Sequence, residues 1–298
     1  MNSWENVKPI AVAVDGSDEA LAAVRWAATE ALRRGRRLRV VHAYEWPLPR
    51  YGPGFGRPEI LREAAFRIGT KKVHLAVETA KRVAPGLAVE TELVLGTAAP
   101  VLRKLSEQAC LLVVGSRGLG GFTGLIAGSV AVAMAAHAHC PVVVVRGEVP
   151  DPDGPVVVGV DGSEASEAAV ALAFDEAAVR GCGLVAVHSW SDVAFPYVPE
   201  PGWPLPIDWD PVIEHETELL AERLAGWREK YPQVSVERII THDRPTRALL
   251  DAARDRDAAL VAVGGRGRGG FTGLALGSVS HAMIHHAPCP VLIARRGR

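Results

Sequence analysis

Short apolar segments alternate with amphipathic segments along the chain, and the same alternation occurs twice. In the first half, valine-rich runs occur at residues 9–15, 38–44, 89–96, 111–116 and 141–146. Runs this short, without regular polar alternation, are typical of strands that are buried on both faces of a sheet. Segments with helical periodicity lie between them, at 19–34, 59–83, 98–108 and 129–138. The predicted order of elements is therefore βαβαβαβαβ.

This order predicts an α/β fold, because parallel neighbouring strands need crossover connections such as helices. The first apolar run leads into "VAVDGS" in the first half and "VGVDGS" in the second, and the remaining elements repeat in the same order. We therefore expect two tandem Rossmann-like domains, 1–150 and 151–298, each a roughly five-stranded parallel sheet flanked by helices.

Three connecting features complete this prediction. The linker between the halves is "EVPDPDGP", and proline-rich segments at 46–58 and 195–211 predict irregular surface excursions. The final apolar run of each half, "PVVVVR" and "PVLIAR", ends its sheet. An uncovered edge strand is a template for pairing, so we expect these two strands to pair antiparallel across the halves.

Composition and charge narrow the range of partners. The 298 residues are 48% hydrophobic and 22% charged, which is ordinary for a globular protein. Lys and Arg number 33 against 34 Asp and Glu, so no bulk positive charge is available for binding a nucleic-acid backbone, and we expect no nucleic-acid partner. The basic run "LRRGRR" at 32–37 is interpreted as a solvated helix terminus.

The N-terminal sequence and the spacing of the cysteines favour a cytoplasmic protein. The N-terminal stretch carries Glu5 and Asp15 where a signal peptide has a basic start and a clean apolar core, and the four cysteines show no CxxC spacing.

Residues 118–145 contain no charged side chain apart from histidine, and a stretch of that length suggests a membrane span. Its glycines, two histidines and Pro141 favour instead a loop followed by a buried helix and strand, so no membrane span is predicted.

Two glycine-rich stretches follow the fourth predicted strand of each half: "GSRGLGGFTGLIAGS" at 115–129 and "GGRGRGGFTGLALGS" at 264–278. Ligands of open α/β sheets bind beyond the carboxyl ends of the strands, where Asp15 and Asp161 also lie. A carboxylate can accept hydrogen bonds from a ribose diol, and glycine-rich backbone together with a helix N-terminus can donate to phosphates. The stretches lack the lysine of a P-loop, and they follow the wrong strand for a dinucleotide fingerprint.

The spacing of these glycines resembles the G-2x-G-9x-G(S/T) ATP-binding motif of the universal stress protein family. Gly115, Gly118, Gly128 and Ser129 match it in the first half, and the second half repeats it. The resemblance covers nearly the whole chain as two tandem domains. It implies domains of the adenine nucleotide α-hydrolase type, up to two ATP molecules per chain with or without Mg²⁺, a homodimer, and a regulatory protein partner. The implied role is a nucleotide-dependent regulator or sensor in stress response or growth arrest.

By this resemblance Asp15 would bind ribose, the backbone of Ala43 would contact adenine, and Gly115 would lie near the ribose and first phosphates. The remaining phosphates would be wrapped by Gly118, Gly128, Ser129 and Val130. The corresponding positions of the second half are Asp161, Ser189, Gly264, Gly267, Gly277, Ser278 and Val279.

Some alternatives stay open. Arg117 and Arg266, inside the glycine stretches, either reach a γ-phosphate or remain solvated. His42 and His188 are interpreted as histidines of the core, and no metal is assigned to the His–Cys tracts at 137–140 and 285–289, because their spacings differ. The alternative function is a slow ATPase or nucleotidyl-transfer enzyme in which Asp15 or Asp161 helps to hold a divalent metal. No catalytic residue is assigned.

Overall fold

A computed structural model of the chain describes residues 7–45, 58–119, 127–147, 153–190, 209–267 and 275–295. These ranges leave out most of the linker, most of both proline-rich segments and the centres of both glycine stretches. The prediction that the proline-rich segments are irregular concerns residues that lie mostly outside the described ranges. The last residues of both proline-rich segments begin helices instead.

The elements follow the predicted order in both halves. The first half contains β1 Ile10–Ala13, α1 Asp18–Arg33, β2 Leu38–Tyr44, α2 Pro58–Val83, β3 Val89–Leu95, α3 Ala98–Leu105, β4 Leu111–Gly115, α4 Ser129–His137 and β5 Val142–Val145. The second half contains β6 Val156–Gly159, α5 Glu164–Arg180, β7 Leu184–Trp190, α6 Asp210–Lys230, β8 Val236–His242, α7 Pro245–Asp255, β9 Leu260–Gly264, α8 Ser278–His286 and β10 Val291–Ala294.

The predicted helix at 98–108 differs from the observed one. Its last three residues form a 3₁₀ turn, Ser106–Gln108, after α3. The hydroxyl of Ser106 donates to the carbonyl of Arg103 at 2.5 Å and accepts from the N–H of His139 at 2.8 Å. These two bonds tighten the last turn and attach it to the chain segment that enters β5.

The strands of the described residues form one sheet in the order β3-β2-β1-β4-β5-β10-β9-β6-β7-β8. Pairing within each half is parallel, as predicted. The halves join where β5 and β10 pair antiparallel, with Val143 opposite Leu292. This confirms the expected pairing of the terminal strands.

Helices cover both faces of the sheet and bury its strands. One face packs against α1, α2, α5 and α6, and the other against α3, α4, α7 and α8. Adjacent strand residues serve opposite layers: Val12 belongs to the first core and Ala11 to the second. Burial on both faces explains why the inner strands are apolar without alternation. The edge strands β3 and β8 carry polar side chains and are only partly buried, so the expectation of burial on both faces is wrong for them.

An ion cluster joins the two halves where α1 meets α5. Arg34 bonds to Glu30 at 2.5 Å, Asp175 at 2.6 Å and Glu176 at 2.8 Å. Arg180, which is 2% exposed, bonds to Glu30 at 2.7 Å and Glu176 at 3.1 Å. The interpretation of "LRRGRR" as a solvated terminus is therefore wrong for Arg34, because the second half supplies buried carboxylates that only the tertiary structure brings near.

Candidate functional site

The predicted site residues lie at one edge of the sheet, where neighbouring strands end and the chain leaves in opposite directions. In the first half β1 lies beside β4, and the helices that follow them pack on opposite faces. Such a change of direction opens a crevice beyond the strand ends. Asp15 follows β1 and Gly115 ends β4, so both border this crevice. Asp161 and Gly264 hold the same places in the second half.

The carboxylate of Asp15 joins the turn after β1 to the glycine stretch. Its Oδ1 accepts hydrogen bonds from the backbone N–H and the hydroxyl of Ser17, at 2.9 and 2.6 Å, and its Oδ2 accepts one from the N–H of Leu119 at 2.7 Å. Burial alone would raise its pKa, but these bonds and the charge of Lys72 hold the pKa of Asp15 below its ordinary value. Asp15 is therefore an ionised acceptor at neutral pH.

Close approach explains why glycine stands at position 118. A Cβ there would collide with Oδ2 of Asp15, and a Cβ at Gly267 would lie 2.5 Å from Oδ2 of Asp161. The same pair of residues is thus brought together in both halves. Only a residue without a side chain lets the backbone lie directly against the carboxylate.

The second part of each glycine motif starts a helix. Gly128 and Gly277 are the N-caps of α4 and α8, and neither helix has a side-chain cap. The N–H of Gly128 donates to the carbonyl of Ser116 at 2.7 Å, and the N–H of Gly277 donates to that of Gly265 at 2.8 Å. These bonds bring the helix start back to the strand end, and within the described residues no N-cap side chain occupies the first-turn N–H groups, which can donate to an anion.

The second half contains a cavity of about 680 Å³ at this edge. All seven residues predicted for the second half line it: Asp161, Ser189, Gly264, Gly267, Gly277, Ser278 and Val279. Its walls also include Trp190, Arg266 and the apolar side chains of Val187 and Leu249. A cavity of this size, with an apolar wall and a few polar groups, is typical of a small-molecule site.

The first-half residues have equivalent places in the fold. Ala43 lies next to the last residue of β2, at the carboxyl edge of the sheet. Ser129 and Val130 form the first turn of α4. Gly115 lies so close to α1 that a Cβ there would be 2.8 Å from the carbonyl carbon of Glu19.

The two histidines differ more than the sequence suggested. His42 is 5% exposed, and its Nδ1 lies 2.6 Å from the carbonyl oxygen of Val14. Burial is the main cause that lowers the pKa of His42, so the ring is neutral at neutral pH. His188 makes the same contact with Val160 at 2.7 Å, but it also lines the cavity and lies 2.9 Å from Glu216. His188 is therefore a wall residue of the site as well.

Sequence reasoning missed Lys72, Glu216 and Trp190. The first two lie on α2 and α6, and their contacts with the site depend on how these helices pack on the sheet. Trp190 ends β7, at the edge where Asp161 also lies, so its position offered a signal. Its Nε1 is buried and has no hydrogen-bond partner in the part of the chain that the structure describes.

The side chains of the His–Cys tracts make contacts with neighbouring residues. His139 lies 3.5 Å from Glu107, His285 stacks on His281 with ring centroids 4.4 Å apart, and Cys140 is buried. Within the described ranges no group of three or more His, Cys, Asp or Glu side chains is arranged to hold a metal ion. Within the same ranges no helix has the length and apolar character needed to cross a membrane.

Comparisons with known proteins agree with this organisation. The sequence profile described as the universal stress protein family matches residues 6–146 and 154–295. The universal stress protein Rv2623 of Mycobacterium tuberculosis is 41% identical over 317 aligned positions, covering 99% of both chains. A universal stress protein structure from Archaeoglobus fulgidus has a TM-score of 0.69 at 19% identity and covers 97% of this chain and 98% of its own. Another protein of that organism, solved in complex with dAMP, is 29% identical, covers 46% of this chain and 97% of its own, and has a TM-score of 0.34.

Proposed function

Because the chain belongs to the universal stress protein family, we propose that it is an ATP-binding regulator in stress response or growth arrest, with one nucleotide site in each half. The observation that carries this proposal is the cavity of about 680 Å³ whose walls contain all seven predicted second-half residues. Drug-sized ligands occupy pockets of roughly 300–1,000 Å³, so an adenine nucleotide is of suitable size.

The donors and acceptors around the cavity fit the parts of such a nucleotide. The carboxylate of Asp161 would accept from the ribose hydroxyls, as Asp15 would in the first half. The uncapped first turns of α4 and α8 offer N–H groups to phosphates. Ser189 and Ala43, at the ends of β7 and β2, would lie at the adenine. Mg²⁺ would accompany the phosphates as a counter-ion.

We propose regulation by occupancy. The glycine stretch contacts Asp15 through Leu119, so a ribose that competes for this carboxylate would change the position of the stretch. A partner protein that contacts the stretch would then distinguish the loaded from the empty state. The protein would act in the reducing cytoplasm and as a homodimer. The alternative is a slow ATPase or nucleotidyl-transfer enzyme.

Two measurements test this proposal. Protein purified without added nucleotide is denatured, and any released nucleotide is identified by mass spectrometry, while native protein is assayed for hydrolysis. ATP recovered intact with negligible turnover supports the regulator. Turnover that is abolished by Asp15→Ala with Asp161→Ala, while ATP binding is retained, supports the enzyme.

The second measurement is thermal unfolding. ATP at 100 times its dissociation constant should stabilise the native state by about 2.7 kcal/mol per site. The double variant Asp15→Ala with Asp161→Ala should lose this shift, whereas Asp251→Ala, on the exposed side of α7, should keep it. Absence of both co-purified nucleotide and a thermal shift would contradict the proposal.

A further inference from the structure

The two glycine stretches carry arginines at matching positions, but their surroundings differ. Arg117 lies two residues after Gly115, and its Nη2 is 3.1 Å from Oε1 of Glu19. Arg266 lies two residues after Gly264 and lines the cavity. In the described ranges no hydrogen bond or ion pair holds its guanidinium. The loop arginine of the first half is thus neutralised, and that of the second half is not.

The helix that packs against the strand end differs between the halves at one position next to the first glycine of each stretch. A Cβ on Gly115 would lie 2.8 Å from the carbonyl carbon of Glu19, and a Cβ on Gly264 would lie 2.7 Å from that of Ala165. Glu19 and Ala165 therefore occupy equivalent backbone positions against the strand end. Only the first half has a carboxylate there.

A second guanidinium, that of Arg295, lies near Arg266. Burial is the main cause that lowers the pKa of Arg295, and the charge of Arg266 lowers it further, so the two guanidiniums repel each other. Arg295 is held in place by the carbonyls of Ala135 and Ala138, at 3.2 and 3.3 Å. Arg146 follows β5 as Arg295 follows β10, so the contrast between the halves lies in the pairing of the loop arginine with Glu19.

The cavity of the second half also contains two carboxylates, those of Glu216 and Asp161. Glu216, on α6, lies 2.9 Å from Nε2 of His188. Oδ2 of Asp161 faces Gly267 as that of Asp15 faces Gly118, so these strand-end carboxylates do not distinguish the halves. In the first half Lys72 lowers the pKa of Asp15, and Glu19 bonds to Arg117. At the first glycine stretch the guanidinium of Arg117 is therefore already paired.

We propose that Arg266 makes the second-half site selective for adenine nucleotides with more phosphates, whereas the first-half site binds them with little regard to phosphate number. This inference rests on the proposed function, since it assumes that both crevices take adenine nucleotides. A guanidinium donates to a phosphate through two parallel N–H groups, and this contact grows with the charge of the phosphate chain. In the first half a phosphate meets an arginine that is already bonded, beside the carboxylate of Glu19.

Tryptophan fluorescence gives a readout specific to the second site. Trp190 lines the second-half cavity, and Tyr44 holds the matching position at the end of β2. The full-length protein and its Trp190→Phe variant are each titrated with ATP and with AMP. The change in tryptophan fluorescence that is missing in the variant is assigned to the second site. In the unmodified protein we expect ATP to bind this site at least about tenfold more tightly than AMP.

Two variants should remove that preference by different routes. Arg266→Gln should weaken ATP roughly tenfold to a hundredfold and leave AMP within about twofold. Ala165→Glu reproduces the first-half arrangement, so its carboxylate should sequester Arg266 and give the same loss. Arg256→Gln, which removes an exposed pair with Glu237, is the charge-matched control and should change neither affinity.

The reciprocal change tests the first site. Glu19→Gln should free Arg117 and increase ATP affinity at the first site roughly tenfold, measured by calorimetry in a chain that also carries Asp161→Ala. If Arg266→Gln leaves the ATP-to-AMP affinity ratio at the second site unchanged, the inference is overturned and the proposed function still stands. Failure of every adenine nucleotide to bind would overturn both.

Discussion

Removal of Arg180 should destabilise the protein more than removal of any exposed ion pair, because it leaves two carboxylates in the ion cluster between α1 and α5 with too little positive charge. The guanidinium bonds to Glu30 and Glu176, and all three side chains are at most 4% exposed. It also lies 5.4 Å above the ring of Trp26. In Arg180→Met, Arg34 alone would face both carboxylates. Breaking such a buried arrangement costs about 3–5 kcal/mol, which corresponds to a fall in Tm of roughly 6–15 °C.

The assay is thermal or urea unfolding followed by circular dichroism, with Arg223→Met as the control. Arg223 bonds to Glu167 at 3.0 Å, but the two side chains are 29% and 39% exposed, so this loss should cost only about 0–1 kcal/mol. Equal losses in the two variants would refute the reasoning.

The pH dependence gives this prediction a second arm. Burial and, next, the charge of Glu30 raise the pKa of Glu176 above its ordinary value despite the arginines. A group whose pKa is raised by folding contributes stability at low pH and loses it as the pH rises through the folded pKa. Removing Arg180 raises this pKa further, so the deficit of Arg180→Met should be smaller at pH 5 than at pH 8. A deficit that grows on acidification would contradict the assignment of the buried carboxylates as its cause.

The remaining predictions concern the glycine stretches and Asp15. Gly118→Ala and Gly267→Ala should each weaken ATP binding at their own site by about tenfold or more, because the added Cβ displaces the facing carboxylate; Tm should change little. The control is Gly226→Ala, at a helix position where an added Cβ would have nothing within 4 Å; its ATP affinity, measured by calorimetry, should be unchanged. If Gly118→Ala and Gly267→Ala also leave the affinity unchanged, the glycine stretches do not bind phosphate. The stability that ionised Asp15 contributes should persist at neutral pH and be lost as the pH falls from about 4 through its lowered pKa. The Tm difference between the unmodified protein and Asp15→Asn should therefore be constant from pH 6 to 8 and shrink in acid, and a constant difference at pH 3 would contradict this.

Those parts of the fold that depend on local pattern were predictable from the sequence. The valine-rich runs predicted the strands, and an edge with no cover predicted the antiparallel pairing of β5 and β10. The juxtaposition of Asp15 with Gly118 follows from a simple rule, since both lie beyond the carboxyl ends of neighbouring parallel strands. The tight turn at Ser106 was missed because its cause is a contact with His139, which is distant in sequence.

Features that depend on the packing of two helices, or of two halves, left no trace in the local sequence. Arg34 looks like any basic residue at a helix end until α5 supplies its acidic partners. Likewise, Glu19 and Ala165 stand in otherwise similar helix starts, and only the observed ion pair with Arg117 gives their difference a meaning. Long side chains reach partners that periodicity cannot identify.

The antiparallel pairing of β5 with β10 has a consequence for how the two halves have been able to diverge. Separate half-length chains with such edges could assemble with identical copies as well as with each other, so a mixture of products would form. Joining the halves in one chain occupies both edges internally and makes every molecule contain one of each. In a symmetric homodimer every substitution appears on both sides of the two-fold axis, whereas in this chain each half can change alone. Every molecule then contains one copy of each of the two different halves.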